Sequence, residues 1–341
     1  MYSILFNFSS SYSGGGLKRL EEFSKWFSNH GGASFLINER SKDIMDKYPN
    51  NKYYVPKITP LSRLLNQEDY FDFFNLKAEK FDLYYSYGIP ITQKRAAINL
   101  LHISNVLPFV KGKFGHNLMN RLKFRLLQFY FLKSLSKTDI LSAESEFSVS
   151  LFKDNFKKAT IVSKNGSDEE IELFHNRNIS IQYENYVVVL GAHKHKLIED
   201  SYKLFQDLHR NNSDLRLKII GDPSYIPEYI LKDDIVEILG VMKRDNIMNL
   251  LLKAKYYLST TVLENSYNAA SEAIFLAEES YISAIGPHLE LLQNLPYEIK
   301  KFKNIDANMI RVKSKDLDTR NLVKWEQVIL DIIKIHNDAK K

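Results

Sequence analysis

At 341 residues the chain is long for one domain, and a 44% hydrophobic fraction beside 26% charged residues supplies two cores and excludes a disordered polymer. The absence of Cys removes disulfides, thiolate metal sites and cysteine nucleophiles, and fits a reducing cytoplasm. A net charge of +6 is modest for this length, so the placement of the cations matters more than their sum.

No apolar run reaches about 18 residues, so no segment is expected to span a bilayer. Met1 to Phe8 is apolar, lacks a basic leader, and reads as a buried first strand rather than a signal peptide. Gly14-Gly15-Gly16 reads as a turn, and an amphipathic helix follows from Leu17 to about Asn29. Further strands are expected at 33–38, 52–55, 83–87, 99–103, 139–142 and 160–163, with helical segments between them. That alternation argues for a doubly wound parallel sheet. Asn165-Gly166-Ser167-Asp168 reads as a turn, and the polar run to about Glu184 as the connection to a second domain.

A second alternating series begins at the strand Tyr186–Leu190 and continues with a helix over 197–210 and a strand over 215–220. Strands at 235–239, 256–260 and 281–284 then alternate with helices at 245–253 and 266–277. A long helix is expected over 318–336, with Leu322, Trp325, Val328, Ile329, Ile332 and Ile333 on one face. The expected organisation is a first Rossmann-like domain over 1–180, a second over 184–317, and a terminal helix over 318–341 packing back on the first. Ligands in such sheets sit outside the carboxyl ends of the strands.

Between Asp82 and Asp139 no acidic residue occurs, while nine cations do, among them Arg121, Lys123 and Arg125. The stretch from Arg121 to Lys133 interleaves cations with Leu, Phe and Tyr. It reads either as a helix lying in an anionic headgroup layer or as a partly buried helix whose cationic stems cover apolar surface. No motif supports nucleic acid as a partner.

The stretch from Leu263 to Ala273 is the most informative. A strand delivers Glu264 to a polar loop, and a helix starting near Asn265 or Ser266 offers free N–H groups and a dipole to a phosphate. Glu272, about two turns on, is placed to bind a ribose diol. Spacing alone describes a surface helix with two solvated glutamates equally well. Lys194 and Lys196 follow the strand Tyr186–Leu190 and read either as a diphosphate clamp or as a solvated basic turn. Gly15 and Gly16 allow close backbone approach to a ligand, though a glycine run is more often a plain turn. His102, beside apolar residues, reads as a core group or as a site residue at a strand end. Asp316-Leu-Asp318 reads as surface charge, and no Walker loop, Gly-x-Gly-x-x-Gly or Gly-x-Ser-x-Gly is present.

The frame Glu264-Asn265-Ser266-Tyr267-Asn268-x3-Glu272-Ala273 resembles the Glu-x7-Glu signature of the retaining GT-B glycosyltransferases of family 4, with the usual glycines replaced. Ser283-Ala-Ile-Gly-Pro-His288-Leu-Glu290 is similar to the strand and loop that follow that signature in the family. The resemblance implies two doubly wound Rossmann-like domains facing across a central cleft, the GT-B architecture. It implies retaining transfer of a sugar from a nucleotide-sugar donor, with no cofactor and no metal, to a lipid-linked saccharide such as an O-antigen or capsule precursor. The place of action it implies is the cytoplasm, peripheral at the inner face of the membrane.

By the same resemblance His102 and Glu264 would be catalytic. The donor would be held by Gly15, Gly16, Lys194, Lys196, Asn265, Ser266, Tyr267, Asn268 and Glu272. An epimerase or soluble-acceptor transferase of the same fold, and a binding protein with a degenerate site, stay open as alternatives.

Overall fold

The computed structural model describes residues 1–57, 74, 76, 79–110, 118–167, 169–176, 182–191 and 194–338. They divide into two compact units: Met1–Gly166 with Val323–Lys341, and Ser167–Leu322.

The first unit is built on seven strands in the order β3-β2-β1-β4-β5-β6-β7, every adjacent pair parallel. They are β1 Ile4–Phe8, β2 Ser34–Ile37, β3 Lys52–Tyr54, β4 Phe81–Tyr87, β5 Ala96–Ile103, β6 Ile140–Ala143 and β7 Ala159–Val162. β1 and β2 are buried along their whole length, as parallel strands covered on both faces must be. Helix α1, Gly14–Asn29, packs Leu20, Phe23 and Phe27 against β1 and β2, whose Phe6 and Phe35 stack with centroids 5.0 Å apart. The glycines expected as a turn form the first turn of α1, because Ser13 is extended and the helix bonds begin at its carbonyl. Two short helices, α2 Asp43–Lys47 and α4 Glu146–Ser150, flank the long helix α3 Leu118–Ser134 in sequence.

The second unit has seven strands in the order β10-β9-β8-β11-β12-β14-β13. β8 Glu184–Leu190, β9 Arg216–Ile220, β10 Val236–Gly240, β11 Ala254–Ser259 and β12 Glu279–Ser283 are parallel. β13 Glu298–Lys301 and β14 Asn308–Lys313 close one edge antiparallel and were not foreseen, since Glu-Ile-Lys-Lys carries almost no apolar signal. Around the sheet lie α5 Glu169–Asn176, α6 Ile198–Asn211, α7 Glu228–Leu231, α8 Arg244–Lys253, α9 Asn268–Leu276 and α10 Gly286–Leu291.

Three expected boundaries move. The first unit ends at Gly166 rather than near 180, because α5 buries Ile171 in the second core and His175 bonds the carbonyls of Phe275 and Leu317. Helix α9 starts at Asn268 rather than at 265 or 266. The terminal helix α11, Trp325–Asp338, starts seven residues later than expected, since Asp318 caps a separate short turn, Thr319–Asn321, and Leu322 packs on the second core. Trp325, Val328, Ile329, Ile332 and Ile333 of α11 are buried in the first core. Among the described residues no helix is long and apolar enough to cross a membrane.

Candidate functional site

In a doubly wound sheet the ligand crevice forms where the strand order reverses, because the loops leaving the two strands diverge to opposite faces. In the second unit that point lies between β8 and β11. The loops leaving those strands carry Lys196 and Glu264, and the structure joins them as an ion pair between Lys196 Nζ and Glu264 Oε1.

The backbone around the pair is locked. Thr260 Oγ1 donates to the carbonyl of Leu197 at 2.8 Å, and Val262 N–H donates to the carbonyl of His195 at 3.0 Å. Leu197 is held at φ +47°, a left-handed conformation costly for a branched side chain and typical of functional loops. Gly191, at φ +82°, leaves open the space through which the Lys196 stem passes, 3.6 Å from where a Cβ would sit. Lys194 opens the short helical turn that ends at Lys196, and its side chain lies outside the described residues, as do His193 and Asp168.

Asn265 and Ser266 sit in the loop ahead of α9, not as its caps, and Tyr267 directly precedes the helix with its ring buried. The first turn of α9, from Asn268, therefore carries the unpaired N–H groups and the positive dipole end. Glu272, one turn on, is nearly buried, and its Oε1 accepts from Arg244 Nη2 at 2.5 Å. Burial, with smaller contributions from the Glu264 and Glu272 charges, raises the pKa of the Tyr257 hydroxyl and keeps it protonated. Arg244, Tyr257 and His288 escaped the sequence reading. Gly286-Pro287-His288 was singled out only as a segment ending in Glu290, and nothing along the chain pairs Arg244 with Glu272.

In the first unit the strand order reverses between β1 and β4. Gly15 is exposed in the first turn of α1, while Gly16 lies against Tyr87: a Cβ there would fall 3.1 Å from that ring. His102, at the end of β5, is wholly buried, with Nδ1 2.9 Å from Ser142 Oγ and its ring stacked on Tyr87 at 4.9 Å. The ring of His102, expected to contact a sugar, is wholly covered in this structure. Burial, with the nearby Arg19 cation, lowers its pKa to about 4 and keeps it neutral. Its Nε2 lies 3.7 Å from the buried Glu144 carboxylate, which also accepts from Tyr87 at 2.8 Å. Arg19, fully buried, donates to the Ser163 carbonyl and to Asn165 Oδ1, both at 3.1 Å. Thus Asn165, ahead of Gly166, is held by a buried guanidinium.

Arg121, Lys123 and Arg125 lie exposed on α3. Leu118, Leu122, Phe129 and Leu132 are exposed on the same helix, at 83%, 63%, 58% and 38%. With Arg125 they recur at helical spacing, forming one stripe that no described element covers. Phe131 and Ser134 of α3 are buried, and Phe124, Leu126, Leu127, Gln128 and Tyr130 are half-buried, so the partly buried alternative describes the face opposite the stripe.

No protein-family model matches the chain, and no curated protein sequence matches it significantly. Solved structures do match. Anabaena HepE, in complex with UDP and glucose, is 14% identical with a TM-score of 0.62, over 98% of this chain and 99% of that one. Sucrose-phosphate synthase from Thermosynechococcus elongatus is 12% identical with a TM-score of 0.65, over 98% of both chains. WaaG, a glycosyltransferase involved in lipopolysaccharide biosynthesis, is 12% identical with a TM-score of 0.57, over 80% of this chain and 78% of that one. The fold is GT-B. In GT-B terms, the Lys196–Glu264 pair and the start of α9 occupy the carboxyl edge of the second Rossmann-like sheet, and Gly16 and Tyr87 that of the first.

Proposed function

We propose that the chain is a retaining, metal-independent transferase of the family 4 type, moving a sugar from a nucleoside diphosphate sugar to an acceptor. The observation that carries this reading is the pairing of Lys196 with Glu264 at the switch point, directly ahead of the α9 amino terminus. A lysine and a helix start together form an anion site, and a diphosphate would compete with Glu264 for Lys196. HepE holds UDP and glucose in the same fold, which supports a uridine donor.

As the bond from the anomeric carbon to the diphosphate oxygen breaks, charge grows on the leaving group. Lys196 and the N–H groups of α9 would stabilise that charge, and Glu264, released from Lys196, would face the electron-poor sugar. Glu272, oriented by Arg244, would hold the ribose diol. His102 enters as a buried support beneath the first sheet's carboxyl edge rather than as a contact residue.

The acceptor is proposed to be a lipid-linked saccharide of surface polysaccharide assembly, met at the cytoplasmic face of an anionic membrane. The exposed Leu118–Leu132 stripe with Arg121, Lys123 and Arg125 supports this placement.

Calorimetry with UDP and UDP sugars tests the donor reading. Wild type is expected to bind in the micromolar range, and Lys196→Ala and Glu272→Ala to lose binding by tenfold or more while keeping their unfolding temperature. Unchanged binding in both variants sinks it.

A further inference from the structure

A cavity of about 190 Å³ opens in the second unit, bounded by β11, the loop behind it, the start of α9 and His288. That is room for on the order of a dozen water-sized groups, the size of one pyranose ring. About half of its wall is polar: Glu264 is an acceptor, Asn268 offers an amide, and Tyr257, Ser259 and Ser266 offer hydroxyls.

His288 is the unusual member of this wall. It is 1% exposed, and its Nδ1 lies 2.7 Å from the Ser283 carbonyl oxygen. A carbonyl only accepts, so Nδ1 carries the ring proton. Burial, opposed by the Ser283 bond and aided by the Lys196 charge, lowers the pKa of the ring to about 4. At neutral pH the ring is therefore uncharged, and its tautomer is fixed: Nε2 carries a lone pair and no hydrogen. No bond from the described residues engages Nε2. A histidine serving only as packing has no need of a fixed acceptor on a cavity wall. Leu or Phe would fill the same volume without the cost of a buried polar atom.

We infer that His288 Nε2 accepts a hydrogen bond from one hydroxyl of the donor's sugar ring seated in this cavity, and that it selects sugars bearing that hydroxyl. The inference rests on the reading of this unit as a nucleotide-sugar site and adds to it the residue that reads the sugar. Glu264 supplies a second acceptor on the same wall, so the ligand must bring donors, as a polyol does. The Tyr257 hydroxyl, which burial keeps protonated, can donate in return.

The test is calorimetry of the full chain with UDP, with whichever UDP hexose wild type binds most tightly, and with that sugar carrying fluorine in place of each hydroxyl in turn. Fluorine keeps the size and removes the donor. His288→Ala is expected to leave UDP affinity within about twofold and to weaken the UDP hexose by about 10- to 100-fold. His288→Gln, which returns an acceptor near the Nε2 position, is expected to restore most of that loss. One fluoro analogue should bind wild type as weakly as the parent sugar binds His288→Ala, and should lose nothing further in the variant.

Equal weakening of UDP and UDP hexose by His288→Ala, or additive losses for every fluoro analogue, would overturn the inference while leaving the donor site standing. A wild-type chain that binds neither UDP nor any UDP sugar would overturn the parent reading and this inference together.

Discussion

Arg244 and Glu272 show how a single contact changes the role of a residue. A carboxylate on a helix is ordinary. One that is nearly buried, with a guanidinium on one oxygen, has its other oxygen directed and its charge partly balanced. Arg244→Ala is therefore expected to weaken UDP by about tenfold and to narrow the preference for UDP over its 2′-deoxy form; equal weakening of both by calorimetry would mean that Arg244 does not act through the ribose.

The two buried histidines make a second prediction. His102 and His288 each have a pKa of about 4 in the fold, against about 6.5 in an unfolded chain. The unfolded state thus binds more protons between those values, so the stability each neutral ring contributes is complete above pH 6.5 and falls as pH drops toward 4. Urea unfolding at pH 7 and pH 5 should differ by about 2 kcal/mol for each histidine, in the unit that holds it. No change in His288→Gln relative to wild type would contradict that account for the second unit.

Lys196, Glu264 and Glu272 were legible as candidates only through the family resemblance, because their spacing alone describes a basic turn and a surface helix equally well. The sequence could not show Arg244, Tyr257 or His288 as partners, since those meet across the sheet from segments far apart in the chain.

Elements were legible where periodicity was strong and less so at their ends. The start of α9 lies at Asn268, and the good capping residues at 265 and 266 stay in the loop ahead of it. Strand β13, Glu-Ile-Lys-Lys, left no apolar alternation to read, whereas β14 carries one in Ile310-Arg311-Val312-Lys313 that the sequence reading passed over.

Helix α3 carries a prediction of its own. Its stripe of Leu118, Leu122, Phe129 and Leu132 beside Arg121, Lys123 and Arg125 should bind vesicles containing phosphatidylserine and not neutral ones. Leu122→Asp with Phe129→Asp should reduce cosedimentation by tenfold or more without lowering the unfolding temperature, because both side chains are exposed. Equal binding to neutral vesicles, or no effect of the pair, would remove the membrane from the account.

Gly166 gives a stability test at the end of the first unit. A Cβ there would lie 2.6 Å from the Trp325 backbone nitrogen, so backbone rather than a side-chain tip would have to move. Gly166→Ala is expected to cost about 1–3 kcal/mol by urea unfolding, and a neutral substitution would mean that the α11 start yields easily.

For the whole molecule, one wholly parallel sheet and one mixed sheet have their switch points at β1/β4 and at β8/β11. The doubly wound class was legible from alternating strands and helices, because buried parallel strands are continuous apolar runs. The unit boundary was not. Helix α5 looks like linker in sequence, yet buries Ile171 in the second core, and α11 returns to the first. The return of α11 was expected; the placement of α5 is long-range packing, which no local pattern encodes.

The central claim is that a diphosphate sits between Lys196 and the first turn of α9. A crystal structure of the chain soaked with UDP tests it most directly. The account predicts phosphate oxygens within hydrogen-bond distance of Lys196 Nζ and the α9 N–H groups, the ribose on Glu272, and Glu264 parted from Lys196. UDP bound elsewhere, with the Lys196–Glu264 pair intact, would contradict it.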